Sequence, residues 1–159
     1  MRIVPGSDCS PEERRQLAIE LIRAFGSQYP QWTVDEATTE LAGTTGFPRS
    51  LIALVDGQAV GCASLLDDDE VTDWPDRFWL GNVVVRDAYR GRGVGAALVR
   101  AVEDLARELR ITELHLVTDT SANWYERAGW TALGVADVHG RPMTVMHKTL
   151  VPVPTRSRE

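Results

Sequence analysis

Residues 90–95 read Arg-Gly-Arg-Gly-Val-Gly and are the part of the chain best suited to chemistry. Gly91, Gly93 and Gly95 lack the side chains that would keep a ligand off the backbone. A helix with an apolar face begins at once from this run, so its first turn offers N–H groups without intrahelical partners and the positive end of the helix dipole. Arg90 and Arg92 add full positive charge. Arg90, Gly91, Arg92, Gly93, Val94 and Gly95 together suit phosphates, above all a pyrophosphate.

A nucleoside triphosphate loop would need Lys-Ser/Thr after its last glycine, and this chain has Ala96-Ala97. Gly91-x-Gly93-x-x-Ala96 fits the permissive dinucleotide fingerprint of a nicotinamide-dependent oxidoreductase. That fingerprint expects the strand to run straight into the first glycine and an acidic residue at the end of the next strand. Here Asp87 to Arg90 intervene and Glu113 begins the next strand. Too little chain follows for a complete dinucleotide-binding sheet.

A strand ending in Val85, then Tyr89, Arg90, Gly93 and Gly95, resembles the acetyl-CoA loop of the GNAT superfamily of N-acetyltransferases. A second block, Ala122-Asn123-Trp124-Tyr125-Glu126-Arg127-Ala128-Gly129-Trp130, resembles the later family signature, an aromatic pair followed by glycine and an aromatic. Val145–Leu150 is similar to the closing strand. Two ordered motifs and a matching end are more specific than either motif alone. The resemblance covers roughly residues 1–150 and is strongest over 80–130.

The resemblance implies an α/β (α+β) fold: a mixed, mostly antiparallel sheet flanked by helices, with a splayed strand pair holding CoA. It implies acetyl transfer from acetyl-CoA, as cosubstrate and without a metal, to a primary amine of a small molecule or peptide, by direct attack in a ternary complex. The pantetheine arm would run along Val83 and Val85, the pyrophosphate would lie on the amides of Arg90 to Gly95, and Asn123 would touch the arm. Tyr125 would be the general acid, since a phenol of pKa ~10 stays protonated at neutral pH. Many relatives carry a glutamate at the start of the central strand. Phe78–Asn82 contains no carboxylate, which leaves Glu70, Asp73, Asp76 or solvent as the base. The alternative function is a catalytically silent acyl-CoA sensor of the same fold. A homodimer is compatible with the resemblance. Residues 26–48 and 67–79 are the expected acceptor-specificity regions.

Composition bounds these readings. A chain of 159 residues suits one domain, here 1–150, with 151–159 expected to be a disordered tail. Hydrophobic content of 43% and charged content of 25% are those of a soluble globular protein. No apolar run approaches the ~20 residues of a membrane span, and no hydrophobic leader opens the chain, so a cytoplasmic location and no membrane partner are expected. A net charge of −6 without a Lys/Arg block argues against nucleic acid. Cys9 and Cys62 have no metal-ligand spacing. Cys62 reads as core and Cys9, just before a helix cap, as exposed.

The elements that must position these residues follow from local signals. Met1–Pro5 reads as a strand. Ser10-Pro11-Glu12-Glu13 and Thr33-Val34-Asp35-Glu36 are capping boxes opening two helices, the first ending at Gly26 and the second near Gly43. Ser50–Val55, Asp56-Gly57 and Gln58–Leu66 read as a hairpin, and Trp79–Val85 as the next strand. The helix from Gly93 to about Leu109 would bury Val94, Leu98, Val102, Leu105 and Leu109, with Arg100, Glu103, Asp104 and Arg107 in water. Leu114–Thr118 reads as a strand that turns His115 away from its leucine neighbours, in a structural or surface role rather than a catalytic one. Ser121–Ala128 reads as a short helix, Trp130 as core and the start of another strand, and Gly140–Pro142 as the turn into a final strand, Met143–Leu150.

Overall fold

The computed structural model describes residues 1–67 and 74–151. Seven strands form one sheet in the order β1-β2-β3-β4-β5-β7-β6. They are β1 (Arg2–Pro5), β2 (Arg49–Val55), β3 (Gln58–Leu66), β4 (Trp79–Val85), β5 (Glu113–Thr118), β6 (Thr131–Val138) and β7 (Arg141–Thr149). The helices are α1 (Pro11–Phe25), α2 (Val34–Leu41), α3 (Val94–Glu108) and α4 (Ala122–Arg127). Every neighbouring pair is antiparallel except β4–β5, so the sheet is mixed and mostly antiparallel.

Both capping boxes form. The Ser10 N–H donates to Glu13 Oε1 at 2.8 Å and the Glu13 N–H donates back to Ser10 Oγ at 3.1 Å. Thr33 and Glu36 repeat the exchange at 3.3 and 3.1 Å. Each cap contributes about 1 kcal/mol by satisfying amides the helix leaves free. The backbone hydrogen bond from Ser10, followed by the bond to its side chain, holds the Glu13 carboxyl below the usual range. Asp56 and Gly57 close the β2–β3 hairpin with φ of +50° and +78°, the two positive values a tight hairpin turn requires.

Two apolar layers cover the sheet. Leu17, Leu21 and Leu41 of α1 and α2 pack on Ile52, Cys62 and Val84. On the opposite face, Leu98 and Val102 of α3 and Tyr125 of α4 pack on Ala63, Leu114, Leu116 and Met146. Cys9 differs from expectation: it is buried with α1 and α2, because the turn over residues 6–8 folds it beneath the helices.

The buried face of α3 is rotated from the predicted stripe. Leu109 is 38% exposed, whereas Glu103, expected in water, is 3% exposed. The cause lies in β7, where Lys148 donates to Glu103 Oε1 at 2.8 Å and to the Ala128 carbonyl at 2.9 Å. The final turn also differs. His139 and Gly140 supply it with φ of +50° and +82°, and Pro142 already lies within β7 opposite Asp137. Proline is tolerated there because β5 pairs with β7 only from Thr144 onward, so no ladder bond is lost.

One local break positions the site. Parallel β4 and β5 share a single register pair, Trp79↔His115, with the His115 N–H donating to the Phe78 carbonyl at 3.1 Å. Beyond it the strands separate.

Candidate active site

The loop before α3 has the predicted backbone character. Gly91 and Gly93 have φ of +76° and +80°, and a methyl group on either would meet nothing within 4 Å. Gly93 is the N-cap of α3 and no side chain caps the helix, so the first-turn amides face open space. The two arginines flank this cradle. Arg90 donates to the Val85 carbonyl at 3.2 Å and pairs with Asp87 at 3.2 Å. The Arg92 guanidinium lies 5.5 Å from the centre of the Tyr89 ring. Gly95 lies where three elements meet: its missing Cβ would sit 3.7 Å from Val85 and 3.8 Å from Trp124.

The separation of β4 from β5 opens a cavity of about 890 Å³. Leu80 to Val83 form one wall and Leu116 to Ser121 the other, with Tyr125 between them. The far side comes from the segment after α1, including Tyr29 and Trp32, and from His139, Arg141 and Met143 near the β6–β7 turn. The exposed backbone of β4 follows from its pairing with β3. The Arg86 N–H donates to the Val60 carbonyl at 2.8 Å. By antiparallel alternation the N–H and C=O of Val85 then turn the other way, toward the separation.

Tyr125 is held by its short helix. Its N–H donates to the Ser121 carbonyl at 3.1 Å, and its own carbonyl accepts from Trp130 at 3.0 Å. The ring packs edge-on against Trp124 and Trp130, with centroids 4.9 and 6.1 Å apart. Burial pushes the phenol up to about 12, so it is a proton donor throughout the neutral range.

A feature that sequence reasoning missed lies on the facing wall. Ser64 pairs with Gly81 and Cys62 with Val84, so Ala63 faces both Asn82 and Val83. This is a β-bulge with Asn82 at φ +55°. Both bulge residues line the cavity. A Gly-Asn step inside an otherwise apolar strand was the available signal.

The other predicted site residues are distributed as follows. Val83 is on the cavity wall, and Asn123 is exposed on α4 and does not line the cavity. Glu70 and Asp73 lie outside the described residues. Asp76 does not line the cavity; its carboxylate sits 3.3 Å from Nε2 of His115. His115 faces away from Leu114 and Leu116, against Trp79 at 5.2 Å. His147, which offered no partner in the sequence, lies 2.6 Å from Glu113, and His139 packs edge-on to Tyr29 at 5.4 Å. Cys62 is fully buried, and burial raises its thiol to about 12, which removes it as a nucleophile. Among the described residues no group of three or more His, Cys, Asp or Glu side chains is arranged to hold a metal ion. No helix among them is long and apolar enough to cross a membrane.

The class is one in which a glycine-lined helix N-terminus follows a strand that parts from its parallel neighbour. The sequence profile of the acetyltransferase (GNAT) family matches residues 14–130, and the chain belongs to that family of acetyl-CoA-dependent acyltransferases. Solved structures agree on the fold. An aminoglycoside 6'-N-acetyltransferase complexed with coenzyme A is similar with TM-score 0.74 and 19% identity, covering 98% of this chain and 100% of that one. An aminoglycoside 6'-acetyltransferase type Ii has TM-score 0.75 and 21% identity, covering 97% and 100%. N-acetylglutamate synthase from Neisseria gonorrhoeae, complexed with coenzyme A and N-acetyl-glutamate, has TM-score 0.65 and 18% identity, covering 84% of this chain and 32% of its own. No curated protein matches the chain significantly.

Proposed function

We propose that this protein transfers the acetyl group of acetyl-CoA to a primary amine of a small molecule or peptide, by direct attack in a ternary complex in the cytoplasm. The observation that carries the reading is that one strand serves both features: Val83 of β4 lines a cavity together with Tyr125, and the chain leaving β4 runs directly into the glycine-lined, uncapped start of α3.

When bound, acetyl-CoA supplies a thioester carbonyl open to attack. In this reading the amides of Arg90 to Gly95 hold its diphosphate, with Arg90 and Arg92 screening the charge from either side. The backbone edges of Val83 and Val85 take the pantetheine arm as an added strand would. Asn123, exposed on α4, contacts the arm from outside. A β4 amide freed by the bulge lies on the wall where a carbonyl oxygen gains charge during attack.

Tyr125 donates a hydrogen bond to the departing sulfur. With its pKa at about 12 the phenol is a weaker acid than a thiol of pKa ~8.5, so complete ionisation of the phenol is uphill. The proton that leaves the attacking nitrogen completes the balance on the sulfur. Tyr125 therefore acts as a relay and hydrogen-bond donor rather than as a lone acid. No carboxylate on β4 serves as base, so before attack the ammonium form of the amine loses its first proton to solvent or to the acidic wall, and only the second passes to the sulfur.

Among the described residues that line the cavity, Glu36, Glu40, Asp67 and Asp119 face one Lys or Arg side chain, Arg141, which Asp119 neutralises at 2.8 Å. That balance favours a cationic amine as acceptor. The solved relatives are named for aminoglycosides and for glutamate, both of which carry amines. The test is release of free CoA from acetyl-CoA across a panel of amines, with initial rates measured against both substrates. Direct attack in a ternary complex gives intersecting reciprocal plots; parallel plots would reject it.

A further inference from the structure

Three polar side chains interrupt the apolar sheet face under α1 and α2, and together they fix one residue of β4. Ser50 and Ser64 are cross-strand neighbours, 3% and 0% exposed, and Cys62 is fully buried beside them. The Asn82 side-chain amide donates to Ser64 Oγ at 3.3 Å, and Ser64 Oγ lies 2.7 Å from Ser50 Oγ. Ser50 Oγ in turn donates to the Glu40 carbonyl at 3.5 Å, at the last turn of α2. From the other side, Cys62 Sγ donates to the Asn82 carbonyl at 3.3 Å.

Only one polarity satisfies this chain. Asn82 donates to Ser64, Ser64 to Ser50, and Ser50 to a carbonyl that can only accept. Each hydroxyl then gives one hydrogen bond and takes one. Burying two hydroxyls in an apolar layer is unfavourable unless they are paired, and alanine would pack there without any polar requirement. Their effect is therefore exerted where the chain ends, on a left-handed asparagine inside a strand. That backbone state is unfavourable for residues other than glycine, less so for asparagine than for most, and a neighbouring hydrogen bond helps to hold it.

We propose that Ser64, backed by Ser50, is a positioning residue for acyl transfer: by accepting the Asn82 amide it holds the β4 bulge so that the amides freed from the ladder face the cavity. This rests on reading the cavity as the transfer site. Ser64 touches neither substrate and acts through Asn82.

The experiment is a double-mutant cycle in the full-length protein. Ser64→Ala removes the acceptor without adding bulk, and Asn82→Gly keeps the left-handed backbone without the anchor. Ser64→Ala should lower kcat about tenfold, leaving the amine KM and the acetyl-CoA Kd within twofold, because misplacement affects the transition state more than binding. In the Asn82→Gly background, Ser64→Ala should do nothing further. A kcat within twofold of wild type in Ser64→Ala, or losses that multiply in the double variant, overturns the proposal. If Ser64→Ala does not fold, Ser50→Ala is compared with Asn82→Gly by the same criteria.

A second readout is independent of turnover. Adding CoA to isotope-labelled protein should shift the Asn82 and Val83 amide resonances in wild type, and the shift should be lost or redirected in Ser64→Ala. An identical response in both proteins overturns the positioning role. Absence of CoA release from wild type with every amine would instead count against the transfer reading, and the amide comparison would still decide the role of Ser64.

Discussion

The glycine loop at 90–95 and the cavity between β4 and β5 serve one proposed ligand but are built in different ways. The loop is local: two left-handed glycines and an uncapped helix start, consecutive in the chain. The cavity is assembled from distant segments, with walls from residues as far apart as Trp32, Val83, Tyr125 and Arg141. A site made of consecutive backbone amides tolerates changes elsewhere in the molecule. A site made by separating two strands depends on every element that holds them apart.

That contrast can be broken at either end. The largest effect expected is at Tyr125. Tyr125→Phe should lower kcat on the order of 10²-fold while the acetyl-CoA Kd stays within twofold, since in the proposed mechanism the lost hydrogen bond would act on the leaving sulfur. Steady-state kinetics with calorimetric binding measures both, and an unchanged kcat removes Tyr125 from the mechanism.

Gly93→Asp is the converse. It places a negative charge and a Cβ at a left-handed position in the cradle, and should weaken acetyl-CoA binding about 30-fold, or about 2 kcal/mol. Circular dichroism should show the fold retained, because a Cβ there meets nothing within 4 Å and the strain of its left-handed φ of +80° is confined to the loop. Affinity equal to wild type would mean the diphosphate lies elsewhere.

Lys148→Ala touches neither half directly but leaves Glu103 buried without its closest cation. It should cost about 2 kcal/mol in urea unfolding, below the range for fully buried pairs because Lys148 is 22% exposed. Arg107, at 3.9 Å from Glu103, limits the loss. The acetyl-CoA Kd should not change.

The smallest effect is in the alkaline range. Burial raises the Tyr125 pKa to about 12, above the ordinary tyrosine value of about 10. As pH rises between those values the unfolded chain gives up a proton that the folded chain keeps, so stability falls. The contribution is fully present below pH ~10 and is lost toward ~12. Tyr125→Phe should flatten that decline in melting temperature measured against pH, with the residual slope coming from Cys62, whose thiol is also raised to about 12. An equally steep decline in the variant would place the phenol in contact with solvent.

Legibility followed the same division. Ser10, Thr33, Asp56 and Gly57 announced two helices and a hairpin, and all of these formed, because caps and tight turns are decided by residues within a few positions of one another. Glu103 was misplaced because its partner, Lys148, lies on β7, distant in sequence, and is itself tied to the Ala128 carbonyl after α4. Cys9 was misplaced because the turn over residues 6–8 folds it beneath α1 and α2. The bulge at Asn82 was missed although Gly81-Asn82 stood in the sequence. An asparagine in a strand signals a break without saying what holds it, and the two serines that do so lie on β2 and β3.

The sequence by itself determined the order of elements, the family and the glycine-rich, left-handed backbone of 90–95, since each depends on dihedral preferences and side chains close in the chain. Only the tertiary structure decided that β4 and β5 part after one register pair, that Tyr125 faces the gap, and that Asn82 is anchored from beneath. Those facts depend on strand pairing and packing between distant segments, and no local propensity encodes the distance at which two strands are held apart.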